Sequence, residues 1–172
     1  MSDLPHDTTP LDLSVFPPVP TSDWEAAIRR DLKGADFDRR LLWRTDEGLS
    51  VRPFYREEDL AALRPQVEAP PGAFPFVRGR GDWTWDVDAR FAPPEDAIRV
   101  DLLHEAGATA AQEVAFALAA GVDRLAAATA AGQSVDEAAG ALTFVWAVGA
   151  NYFMEIAKLR AARLAWARAV AA

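Results

Sequence analysis

The fold of this chain is decided by residues 98–148, IRVDLLHEAGATAAQEVAFALAAGVDRLAAATAAGQSVDEAAGALTFVWAV. Short apolar runs over residues 98–103 and 141–148 are typical of buried strands, and the Ala-rich stretch 109–131 between them has helical spacing. A final helix is predicted over residues 151–171. This β-α-β-α order predicts parallel strands that are joined by right-handed crossovers.

Two βα units are too few to stand alone, because a parallel sheet needs both faces and its neighbouring strands covered. A closed βα barrel needs eight such units and typically about 250 residues. We therefore predict the α/β class, with a partial TIM-barrel-like (βαβα) segment that is preceded by an N-terminal arm, a helix and a β-hairpin extension.

The composition of the chain changes along its length and predicts three segments. Residues 1–22 are rich in Pro, Asp and Thr without helical or strand period, which indicates an extended arm. Residues 23–95 form an extension, and Pro93 and Pro94 mark its end. The Ala-dense residues 96–172 form the partial (β/α) barrel segment.

The extension contains signals for several short elements. Thr21 or Ser22 is the predicted N-cap of a helix, and Ser22 and Glu25 have the spacing of a capping box. Residues 41–53 predict a hairpin around a turn, and residues 65–81 are rich in Pro and Gly, which predicts a loop. The alternating residues 83–88 predict an edge strand.

Charge and composition exclude several classes of function. The 172 residues include 18 basic and 26 acidic side chains, for a formal net charge of −8, which argues against coating nucleic acid or anionic membranes. The absence of cysteine excludes disulfides, thiolate metal sites and a cysteine nucleophile, and two histidines exclude a His-rich metal cluster. Since we find neither a signal peptide nor a spanning segment, we expect a cytoplasmic protein.

Four strings, in order along the chain, carry a family resemblance. They are LWRTDEGLSVRPFY at residues 42–55, PGAFPFVRG at 71–79, HEAGATAAQE at 104–113 and GANYFMEIAKLRAAR at 149–163. Together they resemble the methylmalonyl-CoA mutase family, whose members use adenosylcobalamin to rearrange the carbon skeleton of an acyl-CoA inside a (β/α)₈ barrel. The resemblance implies an isomerase, an intramolecular transferase, as the class of activity.

The resemblance also implies a particular subunit. Some family enzymes are heterodimers of a catalytic large subunit and a degenerate small subunit. No Asp-x-His-x-x-Gly cobalamin motif occurs here, Leu102 stands where the family places its active-site histidine, and Ala141 stands where it places an arginine. Between Phe91 and Ile98 several βα units of the family are missing. The pattern is similar to the small, non-catalytic subunit, with adenosylcobalamin held by the large subunit and none by this chain.

Two other hypotheses remain open. The chain could self-assemble into a homo-oligomer without mutase activity, either structural or able to bind an acyl-CoA without rearranging it. It could also be an isomerase component that takes its cobalamin domain from another chain, although the lost histidine and arginine positions argue against turnover.

The candidate site residues have alternative explanations. Arg78, in the string that resembles the family, could bind a CoA phosphate, because a guanidinium suits bidentate phosphate contact, or it could pair with an acidic side chain. His104 could be a relic acid or base, but a capping or solvent-facing role is favoured. Glu155 and Lys158 are expected to form a surface pair at i,i+3 spacing.

Two further features have simple structural explanations. Asp86 and Asp88 lie on the same side of the predicted edge strand, where charge protects against edge-to-edge pairing more often than it serves catalysis. Tryptophan is abundant for one small core, and part of the set is expected in a subunit interface. The set comprises Trp24, Trp43, Trp83, Trp85, Trp146 and Trp166.

Overall fold

The computed structural model describes residues 12, 14–81, 87 and 92–172. These residues divide into two compact units. The first runs up to Trp43 and includes Ser50–Pro53, and the second comprises Arg44–Leu49 and Phe54–Ala172. The division into segments 1–22, 23–95 and 96–172 stays a prediction, and the strand proposed over 83–88 lies outside the described residues except for Val87.

The first unit contains two helices, α1 (Thr21–Asp31) and α2 (Phe37–Leu41). Helix α1 begins one or two residues earlier than the predicted N-cap at Thr21 or Ser22 allows, because Pro20 is its N-cap and the Pro20 carbonyl accepts the first helical N–H groups. No side chain caps this end, so the predicted Ser22–Glu25 capping box is wrong. Since Ser22 lies inside the first turn, its hydroxyl is not at the position from which an N-cap acts.

A short hairpin follows and confirms the prediction for residues 41–53, although its strands are shorter. Strands β1 (Trp43–Arg44) and β2 (Ser50–Val51) form a two-stranded sheet. In the turn, the Thr45 N–H donates to the Leu49 carbonyl at 2.9 Å, and Gly48 has a φ of +80°. Such a left-handed conformation strains most residues other than glycine.

The remaining residues form an α/β arrangement with the predicted order. Strand β3 pairs in parallel with β4, with Ile98 opposite Phe144 and Arg99 opposite Val145, which confirms the parallel β-α-β-α prediction. The elements after the hairpin are a 3₁₀ helix (Glu57–Leu63), α3 (Arg64–Val67), β3 (Ile98–Arg99), α4 (Asp101–Glu105), α5 (Ala110–Ala130), α6 (Val135–Ala141), β4 (Phe144–Val145) and α7 (Tyr152–Ala171).

Both strands of this sheet are shorter than their apolar runs. Residues 101–103 belong to α4 rather than to the predicted strand, because Asp101 accepts hydrogen bonds from the Arg99 guanidinium at the first turn of that helix. The bond to Arg99 also lowers the pKa of the Asp101 carboxyl. Helix α3 occupies the beginning of the predicted loop 65–81.

The core of the second unit lies between the sheet and α5. Ile98, Val100 and Ala117 are buried together, and Phe144 and Trp146 pack against them. Helix α5 begins with a capping box in which the Thr109 side chain and Gln112 each accept the other's backbone N–H. None of the helices among the described residues combines the length and the hydropathy needed to cross a bilayer.

Candidate functional site

A group of ionisable side chains, buried except for a partly accessible histidine, lies at the carboxyl ends of β3 and β4, and we call it the buried charge cluster. It consists of His104 on α4, Glu113 in the first turns of α5, and Glu155 and Lys158 on α7. Because the two strands are parallel, the segments that leave their carboxyl ends meet at one edge of the sheet. This is the edge at which α/β proteins bind ligands.

Lys158 is the centre of the cluster, and its side chain is 0% exposed. The Nζ group donates to Glu113 Oε2 at 2.8 Å and to the Ala147 carbonyl, just beyond β4, at 3.0 Å. Glu155 Oε2 lies 2.6 Å from Nζ and forms an ion pair with it, although this oxygen has no hydrogen-bond partner. The ammonium also lies 6.0 Å from the centre of the Trp146 ring.

Glu113 connects this lysine to the histidine. Its Oε2 accepts from Lys158, and its Oε1 lies 2.9 Å from His104 Nδ1. The Glu113 side chain is 2% exposed, whereas His104 is partly accessible. A hydrogen bond at Nδ1 fixes one ring nitrogen and leaves Nε2 to face Gly149.

The electrostatics of the cluster keep Lys158 charged. Burial alone would lower its pKa, but the hydrogen bond to Glu113 and the negative charges of Glu113 and Glu155 outweigh that effect and raise the pKa above its ordinary value. An ammonium held between two carboxylates cannot act as a neutral nucleophile or base near pH 7. The cluster is therefore equipped to fix the strand ends in place rather than to transfer protons through Lys158.

Gly149 lets the backbone after β4 approach this cluster. A Cβ atom at this position would lie 3.2 Å from the His104 ring and 3.4 Å from Glu155 Oε1. A side chain would therefore crowd the histidine and the carboxylate together. Gly149 therefore allows His104 and Glu155 to lie close to the backbone after β4.

Arg78 lies apart from the buried charge cluster, on the loop formed by residues 71–80. It is exposed and lines a second site, a pocket of about 820 Å³ that we call the arginine pocket. The described residues that line it include Phe74, Phe76, Arg78, Arg80, Asp136, Arg163, Trp166 and Val170. The structure thus brings Arg78 together with two other arginines, and its role in binding CoA stays a prediction.

The structure corrects the sequence prediction for Glu155 and Lys158. They were expected to form a surface pair, but both are buried, because they lie where α7 packs against α5 and Lys158 meets Glu113 there. His104 does not cap a helix through its ring; it bonds to Glu113. The sequence prediction missed Glu113, although an isolated acidic residue four positions after the Thr109 cap was a usable signal.

The remaining candidate positions are Leu102, Ala141, Asp86 and Asp88. Leu102 is 50% exposed on α4. Ala141 is the last residue of α6. Asp86 and Asp88 lie outside the described residues. No group of three or more His, Cys, Asp or Glu side chains in the described part of the chain could hold a metal ion.

Comparisons with known proteins identify the segment that carries the buried charge cluster. The family model for methylmalonyl-CoA mutase matches residues 93–172. Residues 93–172 are similar to the methylmalonyl-CoA mutase family. This finding confirms the family resemblance and applies to the segment from Pro93 onward, which contains both strands of the parallel sheet.

The mutase relatives include subunits of both kinds. The methylmalonyl-CoA mutase large subunit of Streptomyces virginiae is 57% identical over 80 residues, which cover 45% of this chain and 11% of that protein. The small subunit of Porphyromonas gingivalis is 46% identical over 65 residues, covering 38% of this chain and 10% of that protein. The methylmalonyl-CoA mutase of Rhizobium meliloti is 51% identical over 82 residues, which cover 46% of this chain and 12% of that protein.

The matched part of the chain therefore spans about a tenth of the length of these curated mutases. No solved structure matches the chain. Since both large and small subunits match, the comparisons show similarity of this segment to the mutase family and leave the kind of subunit to be argued from its residues.

The residues described here do not fit adenosylcobalamin, the cofactor of the mutase family. Within the described part of the chain His104 is the single imidazole, and its Nδ1 is already bound to Glu113. The carboxylates beside it are committed to Lys158.

Proposed function

We propose that this chain is a small-subunit-like, catalytically silent component of a methylmalonyl-CoA mutase assembly, in which a large subunit supplies adenosylcobalamin and turnover. The observation that carries the proposal is the residue at position 102. An exposed leucine stands where the family resemblance places the active-site histidine, and the nearby His104 is bound to Glu113. Leucine cannot exchange a proton with a substrate.

The small size of the β3–β4 sheet supports the presence of a partner. Strands β3 and β4 pair only with each other among the described residues, and a parallel sheet is normally covered on both faces and continued by further strands. Apolar side chains are exposed near the carboxyl ends of these strands, and neighbouring units of a partial TIM barrel would cover them. They are Leu102, Val148, Tyr152 and Phe153.

The proposal is tested by expressing the chain alone and with a methylmalonyl-CoA mutase large subunit from the same organism. Light scattering measures the mass of each sample, and mutase turnover is measured with adenosylcobalamin and methylmalonyl-CoA. We expect a stable 1:1 complex and no turnover by the chain alone. Turnover by the chain with cofactor but without the large subunit would contradict the proposed silence.

A matched pair of variants tests the surface. Phe153→Asp places a charge on a side chain that is 78% exposed at the start of α7, and we expect loss of the complex with unchanged folding. Leu63→Asp makes the same kind of change on an exposed side chain of the 3₁₀ helix and should leave the complex intact.

Self-assembly is the alternative function, because the open edges of the same sheet could pair with a second copy of the chain. In that case the chain alone forms a defined homo-oligomer that does not bind the large subunit. Light scattering of the lone chain separates this alternative from the heterodimer, and acyl-CoA binding becomes the next measurement.

A further inference from the structure

We propose that the cleft between α5 and α7 binds a small aromatic monocarboxylate, a ligand with an apolar ring at one end and one acidic group at the other. We call this cleft the helix cleft, and the described residues that line it are Val114, Ala117, Leu118, Phe144, Trp146, Leu159, Ala162, Arg163 and Trp166. The proposal does not depend on the subunit role, because the exposed apolar side chains at the strand ends are not among these residues.

The interior of the helix cleft is apolar and has room for a small ligand. Helix α5 forms one wall, α7 forms the opposite wall, and β4 with the residue that follows it forms the floor. The volume is about 250 Å³. An apolar cavity of about 150 Å³ can bind a molecule as small as benzene. The helix cleft can therefore hold one aromatic ring together with a short side chain.

Three aromatic rings in the lining favour a planar ligand. Phe144 and Trp166 pack edge to face with ring centres 5.2 Å apart, and Trp146 lines the same cleft. Phe144 and Trp146 also pack against the buried side chains of Ile98 and Val100, so the core supports both rings from behind. A planar ring gains from stacked or edge-to-face contact with such side chains. Because the walls are held in place, the ordering cost on binding is small.

Arg163 supplies the one charge of the lining. Its side chain is exposed, whereas every other lining residue is buried or half-buried, so the guanidinium belongs to the rim of the cleft rather than to its interior. Within the described part of the chain, no carboxylate forms an ion pair with Arg163. A guanidinium binds a carboxylate through two parallel hydrogen bonds, which makes this position suitable for an acidic group.

The combination of one cation and an apolar interior restricts the class of ligand. A carboxylate at the rim pairs with Arg163 while the ring of the same molecule enters the cleft. A second acidic group on the ligand would lie against apolar walls without a partner, and burying an unpaired charge is costly. A ring without an acidic group would leave the guanidinium unused. The lining therefore favours a single carboxylate on an aromatic body.

Calorimetric titration of the full chain with 3-phenylpropionate tests the proposal. The matched ligand is 3-phenylpropanamide, which has the same ring and chain length but no charge. We expect saturable one-to-one binding of the acid and about tenfold weaker binding of the amide, because only the acid makes a charge-assisted contact with Arg163.

Variants separate the charge from the cavity. Arg163→Gln should weaken binding of the acid about tenfold and leave the amide unchanged, so that the two ligands bind alike. Arg168→Gln is the matched control, because Arg168 is exposed on the same helix and does not line the cleft. Ala162→Leu fills the cavity from α7 and should abolish binding of both ligands. Val114→Phe fills it from α5 and replaces Ala162→Leu if circular dichroism shows that the latter does not fold.

Four results would overturn the inference. The first is the absence of 3-phenylpropionate binding at millimolar concentration, which would leave a side chain of a partner as the occupant of the cleft. The second is equal affinity of the acid and the amide for the unaltered chain. The third is equal weakening by Arg163→Gln and Arg168→Gln, which would indicate general charge attraction. The fourth is a folded Ala162→Leu or Val114→Phe variant that binds the acid as tightly as the unaltered chain.

Discussion

Lys158 shows how a single buried charge can organise the end of a sheet. Its ammonium has contacts with Glu113 on α5, Glu155 on α7 and the Ala147 carbonyl beyond β4. A buried charge costs several kcal/mol to remove from water, and partners of opposite charge offset much of that cost. The net stabilisation by the complete cluster is modest, but a member cannot be removed alone without leaving another charge unpaired.

We therefore predict that Lys158→Met lowers the free energy of unfolding by about 3–5 kcal/mol, because Glu113 and Glu155 are left buried without a cation. Urea denaturation followed by circular dichroism measures the change. Lys33→Met is the control, since Lys33 is exposed and the same atoms are exchanged. A loss below about 1 kcal/mol, the usual value for a surface pair, would contradict a buried cluster.

The raised pKa of Lys158 predicts how its contribution depends on pH. A group whose pKa is higher in the folded state stabilises fully below its unfolded pKa and loses that contribution as pH rises through the folded pKa. We compare the free energy of unfolding of the wild type with that of Lys158→Met. The difference between them should stay constant from neutral pH to about 10 and then shrink. Thermal melts of both proteins at increasing pH test this, and a difference that shrinks between pH 7 and 9 would contradict it.

The sequence predicted the residues of the site only in part. Glu155 and Lys158 were recognisable as a pair from their spacing, but their burial depends on Glu113, which is 45 residues from Lys158 in sequence. Helical periodicity shows which residues share a face and does not show what that face meets. Arg78 was singled out from its motif, whereas Arg163 joined it through packing of α7 on the loop.

At the scale of elements, the contact between α5 and α7 depends on Gly121. A Cβ atom there would lie 2.7 Å from Trp166 Cζ3 and 2.9 Å from Phe144 Cζ. The Trp166 and Phe144 rings already pack edge to face with centres 5.2 Å apart, so neither ring can move without disturbing the other. Glycine in a helix normally costs about 1 kcal/mol relative to alanine, and close packing offsets that cost here.

We predict that Gly121→Ala destabilises the protein by about 1 kcal/mol or more, because overpacking of about 1–3 kcal/mol exceeds the gain in helix propensity. Gly140→Ala is the matched control. Gly140 lies in α6 with nothing within 4 Å of its Cβ position, so alanine should stabilise by up to about 1 kcal/mol. Urea denaturation measures both changes, and destabilisation by both variants would contradict this account.

Long elements were predictable and short ones were not. The helices over residues 109–131 and 151–171 are confirmed within a residue or two, because their Ala-rich pattern acts locally, as does the capping box at Thr109 in the first of them. The strands were overestimated, since an apolar run continues into residues that become helical once Arg99 holds Asp101. The start of α1 was misplaced because a proline preceded the polar residues that resemble caps.

At the scale of the whole molecule, the segment that matches the mutase family and the second compact unit begin at different residues. The mutase match begins at residue 93, but the second unit also includes Arg44–Leu49 and the chain from Phe54 onward. Glu47 in the hairpin turn accepts the Ala110 N–H at the first turn of α5 at 3.1 Å. A carboxylate at this end of a helix satisfies a free N–H and interacts well with the helix dipole.

We predict that a fragment of residues 93–172 unfolds at a lower temperature than a fragment of residues 44–172, because only the longer fragment keeps Glu47 at α5 and Val77 in the buried set. Thermal melts by circular dichroism compare the two fragments with the full chain. Equal melting temperatures for both fragments would show that the preceding residues do not stabilise the mutase-type segment.

The burial of Lys158 also allows chemical labelling to detect when α5 and α7 separate at this site. The chain has two lysines, of which Lys33 is exposed and Lys158 is enclosed as an ammonium. An amine-acylating reagent should therefore modify Lys33 at once and Lys158 only when the ends of α5 and α7 separate. The slow appearance of the Lys158 adduct in a mass spectrum would measure the rate of that separation, without any label introduced by mutation.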